Sequence, residues 1–120
     1  MFQTVGLIFL GGGLGSLARF GVSVGVKQFS QSNFPIATLL ANVLSCVIMS
    51  VALGMFYEKM QDSNIRMFVI VGFCGGFSTF STFSIETLEL FRNGNIMFGA
   101  LNLLLNLVLC MIVLLALVRK

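Results

Sequence analysis

Charged residues are scarce in this chain of 120 residues: 9% are Asp, Glu, Lys or Arg, whereas 58% are hydrophobic. An ordinary soluble domain carries roughly a quarter charged residues, so the composition excludes a water-soluble surface. The few charges leave four long uncharged runs, at 1–18, 28–57, 67–85 and 93–118. Each run reaches or approaches the ~20 residues that a helix needs to cross ~30 Å of hydrocarbon. We therefore predict four transmembrane helices.

The residues that metal and redox chemistry need are also missing. Histidine is absent, and Cys46, Cys74 and Cys110 lie singly in apolar runs, without the spacing of a metal-ligand pair. This pattern excludes zinc, haem and disulfide sites, and no pairing of a nucleophile with a base suggests an enzyme. The basic residues are scattered, which excludes nucleic acid as a partner.

The spans use almost the whole sequence, so we predict one integral membrane domain over 1–120. Nothing basic precedes Arg19, so the first run does not resemble a cleaved signal and is expected to remain as a helix. Pro35 suits the first turn of the second helix, and Asn93-Gly94 suits a tight turn before the fourth. The four helices are predicted at about 4–26, 36–57, 65–91 and 95–118.

The basic residues between the spans bear on orientation. An even number of spans places both termini and the loop after the second helix on one side of the membrane. That side carries Lys59, Arg66, Arg119 and Lys120, and the other side carries Lys27 and Arg92. An excess of four basic residues over two is only weak evidence for one orientation under the positive-inside rule. Insertion in both orientations and a single orientation with the four-charge side inside are equally open.

Polar side chains at membrane depth carry most of the functional information, because each needs a protein or water partner. Thr38 and Asn42 lie at i and i+4, on one face of the second helix. Asn102 and Asn106 repeat this spacing in the fourth helix. Two stacked asparagines favour a polar track over asparagines that only hydrogen-bond neighbouring helices together. Arg19 either snorkels to the interface or attracts anions at the mouth of an aqueous vestibule.

The densest polar signal lies in the third span, GFCGGFSTFSTFS from Gly72 to Ser84. Its paired glycines and hydroxyl residues disfavour a regular helix, so we expect a break whose freed carbonyls face a cation. Phe80 and Phe83 then share a helix face. Aromatic edges carry positive charge, so these rings, with amides and hydroxyls, favour a small dehydrated anion. A cation pathway would need carboxylates, and Glu86 stands only near the far end of this helix.

Three segments resemble the Fluc, or CrcB, family of fluoride channels: GGGLGSLARF from Gly11, TLLAN from Thr38 and GFCGGFSTFSTFS from Gly72. The third is specific, because glycine pairs followed by two such Phe residues among hydroxyls seldom arise by chance. The resemblance implies an all-α membrane protein of four transmembrane helices with a break in helix 3, assembled as an antiparallel dual-topology homodimer. It also implies passive export of fluoride from the cytoplasm through two pores at the dimer interface. The expected location is a bacterial plasma or inner membrane, where such export gives fluoride resistance.

The resemblance also implies roles for individual positions. Arg19 would lie at the vestibule, and Asn42 would donate a hydrogen bond to fluoride. The other pore positions would be Phe80, Phe83, Ser81, Thr82, Ser84, Asn102 and Asn106. Gly75 and Ser78 would bind a structural Na⁺ through backbone carbonyls. The chain departs from the family at Asn102 and Asn106, where tyrosine and serine are common, and at Ser78, which replaces the commoner threonine.

Two other functions compete with a channel. A small multidrug-resistance-type transporter would have similar length and topology, but it needs a membrane-embedded glutamate in helix 1, and no acid precedes Glu58. A purely structural membrane protein explains the glycines and phenylalanines. It does not explain Asn42, Asn102 and Asn106 together with the hydroxyl run of helix 3.

Overall fold

The computed structural model describes residues 1–55 and 57–118, and all regular structure in these residues is helical. Four helical spans are long and apolar enough to cross a membrane: Phe2–Phe29, Ile36–Gly54, Ser63–Arg92 and Ile96–Leu117. The prediction of an all-helical protein with four membrane spans is confirmed. The chain is a multi-pass membrane protein.

The individual helices are α1 (Phe2–Phe29), α2 (Ile36–Met55), α3 (Ser63–Arg66), α4 (Gly75–Phe77), α5 (Phe80–Arg92) and α6 (Ile96–Leu117). A π-helical stretch, Met67–Cys74, joins α3 to α4, and a short 3₁₀ turn, Lys59–Gln61, precedes α3. The third span is thus a composite of four pieces.

The second helix begins at the predicted residue, Ile36, and the other helix ends differ from the predicted limits by one to three residues. α1 continues past 26 to Phe29, because Lys27 in its last turn interacts favourably with the negative end of the helix and does not stop it. α2 ends at Met55, and Tyr57 lies in a turn. Phe56, Arg119 and Lys120 lie outside the described residues.

Two residues with extended backbone separate α4 from α5. Ser78 has φ −80° and ψ 159°, and Thr79 has φ −152° and ψ 120°. Thr79 caps α5, since its Oγ1 accepts a hydrogen bond from the Thr82 amide at 3.2 Å. A hydroxyl residue at this position satisfies one of the amides that every helix start leaves without an internal partner.

Glycines allow the backbone of α1 to touch that of the third span. A Cβ added to Gly72 would lie 3.0 Å from the Cα of Gly11, and one added to Gly15 would lie 2.8 Å from the amide nitrogen of Phe77. A Cβ on Gly76 would meet the carbonyl of Gly12. Such close approach is the usual role of small residues in membrane helices. It brings α1 against the end of α4.

A glycine turn reverses the chain between α5 and α6. Gly94 has φ +83°, a left-handed conformation that costs glycine little. The Asn95 amide donates to Leu90 O at 2.8 Å, and the Gly94 amide donates to Phe91 O at 3.2 Å. These are the two bonds of a Schellman motif. The turn lets α6 pack beside both α5 and α2.

Candidate functional site

Asn42, on α2, lies opposite the two extended residues of the third span. Its Oδ1 accepts a hydrogen bond from the Thr79 amide at 2.8 Å, and its Nδ2 lies 3.4 Å from Thr79 O. In a continuous helix the Thr79 amide would donate instead to Gly75 O, four residues earlier. A side chain of the second span therefore replaces a missing helical hydrogen bond in the third.

The asparagines of α6 lie directly behind Asn42. Asn42 Nδ2 donates to Asn106 Oδ1 at 2.9 Å, and Asn106 Nδ2 donates to Asn102 Oδ1 at 2.8 Å and to Asn102 O at 2.9 Å. Asn102 is 0% exposed and Asn106 is 5% exposed. The structure brings Asn106 to Asn42 and Asn102 to Asn106, but it places both asparagines of α6 in the interior of the chain, with their amides bonded to one another.

Thr87, on α5, extends this set of contacts. Asn102 Nδ2 donates to Thr87 Oγ1 at 2.8 Å, and Thr87 Oγ1 donates to Phe83 O at 2.7 Å. Sequence reasoning missed Thr87. Its spacing was the available signal, because it lies four residues after Phe83 and therefore on the same face of the helix.

Phe80 and Phe83 lie side by side at the start of α5. Their ring centroids are 5.7 Å apart with an interplanar angle of 56°, but Phe80 is 77% exposed and Phe83 is 5% exposed. Ser81 and Ser84 are exposed beside Phe80, and Thr82 is half-buried. Ser84 Oγ donates to Phe80 O at 2.8 Å. We name Phe80, Ser81 and Ser84 the open face of α5.

Arg19 reaches from α1 to the end of α4. Its Nε donates to Gly76 O at 3.2 Å, and its side chain is half-buried. The last carbonyls of a helix lack internal donors, and a cation is favourable beside them. Arg19 thus turns into the chain close to the two extended residues, Ser78 and Thr79, which we call the interruption of the third span.

A cleft of about 760 Å³ opens where α1 ends, α2 begins and α5 passes. Its lining includes four charged residues, Arg19, Lys27, Glu86 and Glu89. Thr38 Oγ1 donates to Glu86 Oε1 within the cleft. Sequence reasoning missed this pair, although Thr38 is one turn before Asn42 and Glu86 is about one turn after Phe83. The spacing placed both on the faces that carry the other polar residues.

A family model described as "CrcB-like protein, Camphor Resistance (CrcB)" matches residues 6–118. The chain belongs to the CrcB family. The predicted resemblance to this family is confirmed.

Three relatives support the membership in the CrcB family, and each is named a fluoride-specific ion channel, FluC. The relative from Azobacteroides pseudotrichonymphae is 38% identical over 109 residues, which cover 90% of this chain and 87% of the relative. A relative from Coxiella burnetii is 40% identical over 107 residues, covering 87% and 86%. A relative from Methylobacterium radiotolerans is 39% identical over 117 residues, covering 92% and 79%. These CrcB relatives are named as channels and not as enzymes, in agreement with the prediction.

Of the two positions expected to hold Na⁺ in this CrcB chain, Gly75 begins α4 and Ser78 is the first of the two extended residues. Gly75 is exposed, and a Cβ added to it would meet nothing within 4 Å. Ser78 is half-buried, and both its amide and its Oγ donate to Cys74 O, at 3.0 and 2.8 Å. Neither of these bonds uses the carbonyl oxygen of Gly75 or of Ser78.

Proposed function

We propose that this chain forms a fluoride-selective channel through which fluoride leaves the cytoplasm down its electrochemical gradient, giving the cell fluoride resistance. One observation carries the proposal: neutral donors and aromatic edges meet at an interruption of the third span, in a chain whose relatives are named fluoride-specific ion channels. The proposed location is a bacterial plasma or inner membrane.

The proposed path runs along Asn42, the open face of α5, Thr82 and the edges of Phe80 and Phe83. Hydrogen bonds from N–H groups usually span roughly 2.7–3.2 Å, so the 3.4 Å contact from Asn42 Nδ2 to Thr79 O is weak. The N–H group in that contact can therefore exchange its acceptor most easily, from Thr79 O to an anion. Fluoride loses its water stepwise to these donors, whereas chloride is too large to recover its hydration in a narrow path.

The proposed assembly is an antiparallel homodimer, with two pores along the interface. Phe80 is 77% exposed on a single chain, and the hydroxyls of Ser81 and Ser84 beside it are also exposed. Polar groups that face lipid are costly, so a second copy that covers the open face removes this cost. Opposite orientations agree with the weak bias of basic residues, and they give two equivalent pores.

The interruption of the third span places two helix ends of opposite polarity together. The end of α4 presents carbonyl oxygens, and the start of α5 presents amide hydrogens. The first suits a cation and the second suits an anion. One interruption therefore provides for both kinds of ion.

We infer that the carbonyl end holds a structural Na⁺ through Gly75 and Ser78. Thr79 donates its amide to Asn42, so Gly75 O lacks its helical donor, and a Cβ added to Gly75 would meet nothing within 4 Å. Oxygen atoms are the ligands that hard cations prefer. These residues fit the ion, and it would tie two copies together at this point.

Ion efflux from liposomes containing the purified protein tests the proposed function. We expect fluoride to leave the vesicles rapidly when a potassium ionophore balances charge, and chloride to stay inside. Protein-free vesicles are the control for leakage. Equal fluxes of the two anions, or no fluoride flux, would contradict the proposal.

Exhaustive replacement of Na⁺ by N-methylglucamine tests the structural ion separately. We expect the dimer to dissociate on size exclusion, or fluoride efflux to fall, and readdition of Na⁺ to restore both. Indifference of both measurements to Na⁺ would refute the site at Gly75 and Ser78 without refuting the channel.

A further inference from the structure

A buried line of hydrogen bonds leads from α5 through α6 to Asn42. The donors and acceptors follow in one order: Asn42 to Asn106, Asn106 to Asn102, Asn102 to Thr87, and Thr87 to the carbonyl of Phe83. The side-chain links measure 2.8–2.9 Å, and the last bond measures 2.7 Å. We call the three members behind Asn42 the relay: Asn106, Asn102 and Thr87.

The direction of every bond in the relay is set by its chemistry. The single hydroxyl hydrogen of Thr87 goes to Phe83 O, so Thr87 Oγ1 can only accept from its other neighbour. Asn102 must therefore turn its Nδ2 to Thr87 and its Oδ1 to Asn106. Asn106 turns its Nδ2 to Asn102, where Oδ1 and the backbone carbonyl both accept from it, and its Oδ1 is left for Asn42.

The result is that only one orientation of the Asn42 amide satisfies its neighbours. Asn42 must direct Nδ2 at Asn106, and its Oδ1 then meets the Thr79 amide. A flip of this amide would place two oxygens together at Asn106 and two N–H groups together at Thr79. Unmatched pairs of this kind are costly in a buried position.

We propose that Asn106, Asn102 and Thr87 are positioning residues that hold the Asn42 amide so that its N–H group not bonded to Asn106 is available to fluoride. Asn102 is 0% exposed, and Asn106 and Thr87 are each 5% exposed. Their burial leaves Asn42, which is half-buried, as the member that reaches the ion. The proposal rests on the fluoride function above, and it assigns the asparagines of α6 an indirect role in place of direct contact with fluoride.

Thr87→Val and Thr87→Ser test the relay in reconstituted liposomes. Valine keeps the shape of threonine and removes the hydroxyl that accepts a hydrogen bond from Asn102, so we expect fluoride efflux to fall roughly tenfold and chloride leakage to rise. Serine keeps the hydroxyl, and we expect efflux within about twofold of the original chain. Ser50→Ala is the matched control, because it removes a buried hydroxyl whose bond goes to Cys46 O, outside the relay.

Two results in this comparison would overturn the proposal. One is a Thr87→Val channel with unchanged efflux and unchanged exclusion of chloride. The other is an equal loss in Thr87→Val and Thr87→Ser, which would assign Thr87 to packing alone. Absence of fluoride efflux from the unaltered protein would instead refute the channel function itself, so the two failures are distinguishable.

The side-chain amide resonances of Asn42 in the unaltered protein provide a second test that requires no variant to fold. We expect two distinct N–H signals in ¹⁵N-labelled protein, assigned through nuclear Overhauser effects that connect them to the neighbouring Thr79 and Asn106. The hydrogen bonded to Asn106 should exchange slowly with solvent and respond little to added sodium fluoride, whereas its partner should shift. Equal responses of the two hydrogens would refute a fixed orientation, and response of neither would refute the contact of Asn42 with fluoride on which the proposal rests.

Discussion

The contact between the backbones of α1 and the third span makes a sharp prediction for Gly15→Ala. A Cβ at this position would meet Phe73 O, and it would lie 2.8 Å from the Phe77 amide nitrogen and 3.0 Å from Phe73 C. All three are backbone atoms, so rotation of a side chain cannot relieve the overlap. The two helices must move apart instead.

The free-energy cost follows from that movement. Separating packed helices by ~0.5–1 Å forfeits a quarter to a half of the dispersion energy at the contact, and overpacking of this kind typically costs about 1–3 kcal/mol. Alanine is a better helix former than glycine by ~0.8–1 kcal/mol, which offsets part of the loss. We expect Gly15→Ala to lower the free energy of unfolding by up to about 2 kcal/mol, a factor of up to roughly 30 in the unfolding equilibrium, and to be about 1–3 kcal/mol less stable than an alanine variant without the overlap.

Reversible unfolding in mixed dodecylmaltoside and dodecyl sulfate micelles, followed by circular dichroism, measures this difference. The matched control is Gly13→Ala on the same helix, where an added Cβ meets nothing within 4 Å. The control should be as stable as the original chain or slightly more stable. If Gly15→Ala unfolds at the same detergent composition as Gly13→Ala, the backbones are not in contact and the reasoning is wrong.

Three further predictions concern side chains at the interruption. Arg19→Leu removes the donor to Gly76 O and should lower the free energy of unfolding by about 1 kcal/mol in the same micelle titration. A variant as stable as the original would contradict a stabilising bond from Arg19 to the end of α4. Phe83→Ile, at a position 5% exposed, should cost about 1–2 kcal/mol by loss of packing, whereas Phe80→Ile, at a position 77% exposed, should change stability by less than ~0.5 kcal/mol. Both should reduce fluoride efflux from liposomes, and full conduction by a folded, dimeric Phe80→Ile protein would exclude a role for its aromatic edge. Thr79→Val removes the side-chain cap of α5 and should lower the free energy of unfolding by about 1 kcal/mol in the titration. Thr79→Ser keeps the hydroxyl and should be as stable as the original chain. An equal loss of stability in both variants would show that the hydroxyl is not responsible.

The sequence was sufficient to locate the spans, because charges interrupt the apolar runs at the membrane boundaries. It also identified Asn42 as a polar side chain that needs a partner. It did not identify the partner, since contacts between spans are absent from a linear pattern. Asn102 and Asn106 show the same limit: an asparagine that lines a path and one that bonds to another span have identical spacing.

Other features depend on packing that no local pattern records. The π-helical winding of Met67–Cys74 falls on an apolar segment whose composition also suits an ordinary helix. The direction of Arg19 depends on how closely α1 approaches α4, which the glycines allow but do not specify. Glu86 was set aside because it stands near the end of its span, and its contact with Thr38 becomes visible only when α2 and α5 are placed together.

The contact between Asn42 and Thr79 resembles the pairing of two opposed residues in an antiparallel β-sheet. Both the N–H and the C=O of Thr79, a residue with extended backbone, face complementary groups on one planar amide. The side chain therefore acts as a strand of a single residue, and it satisfies extended backbone within the membrane without water or a sheet edge. Aspartate offers two acceptors and no donor when ionised, and serine has no planar pair. Position 42 consequently requires an amide for the fold alone, before any ion is considered.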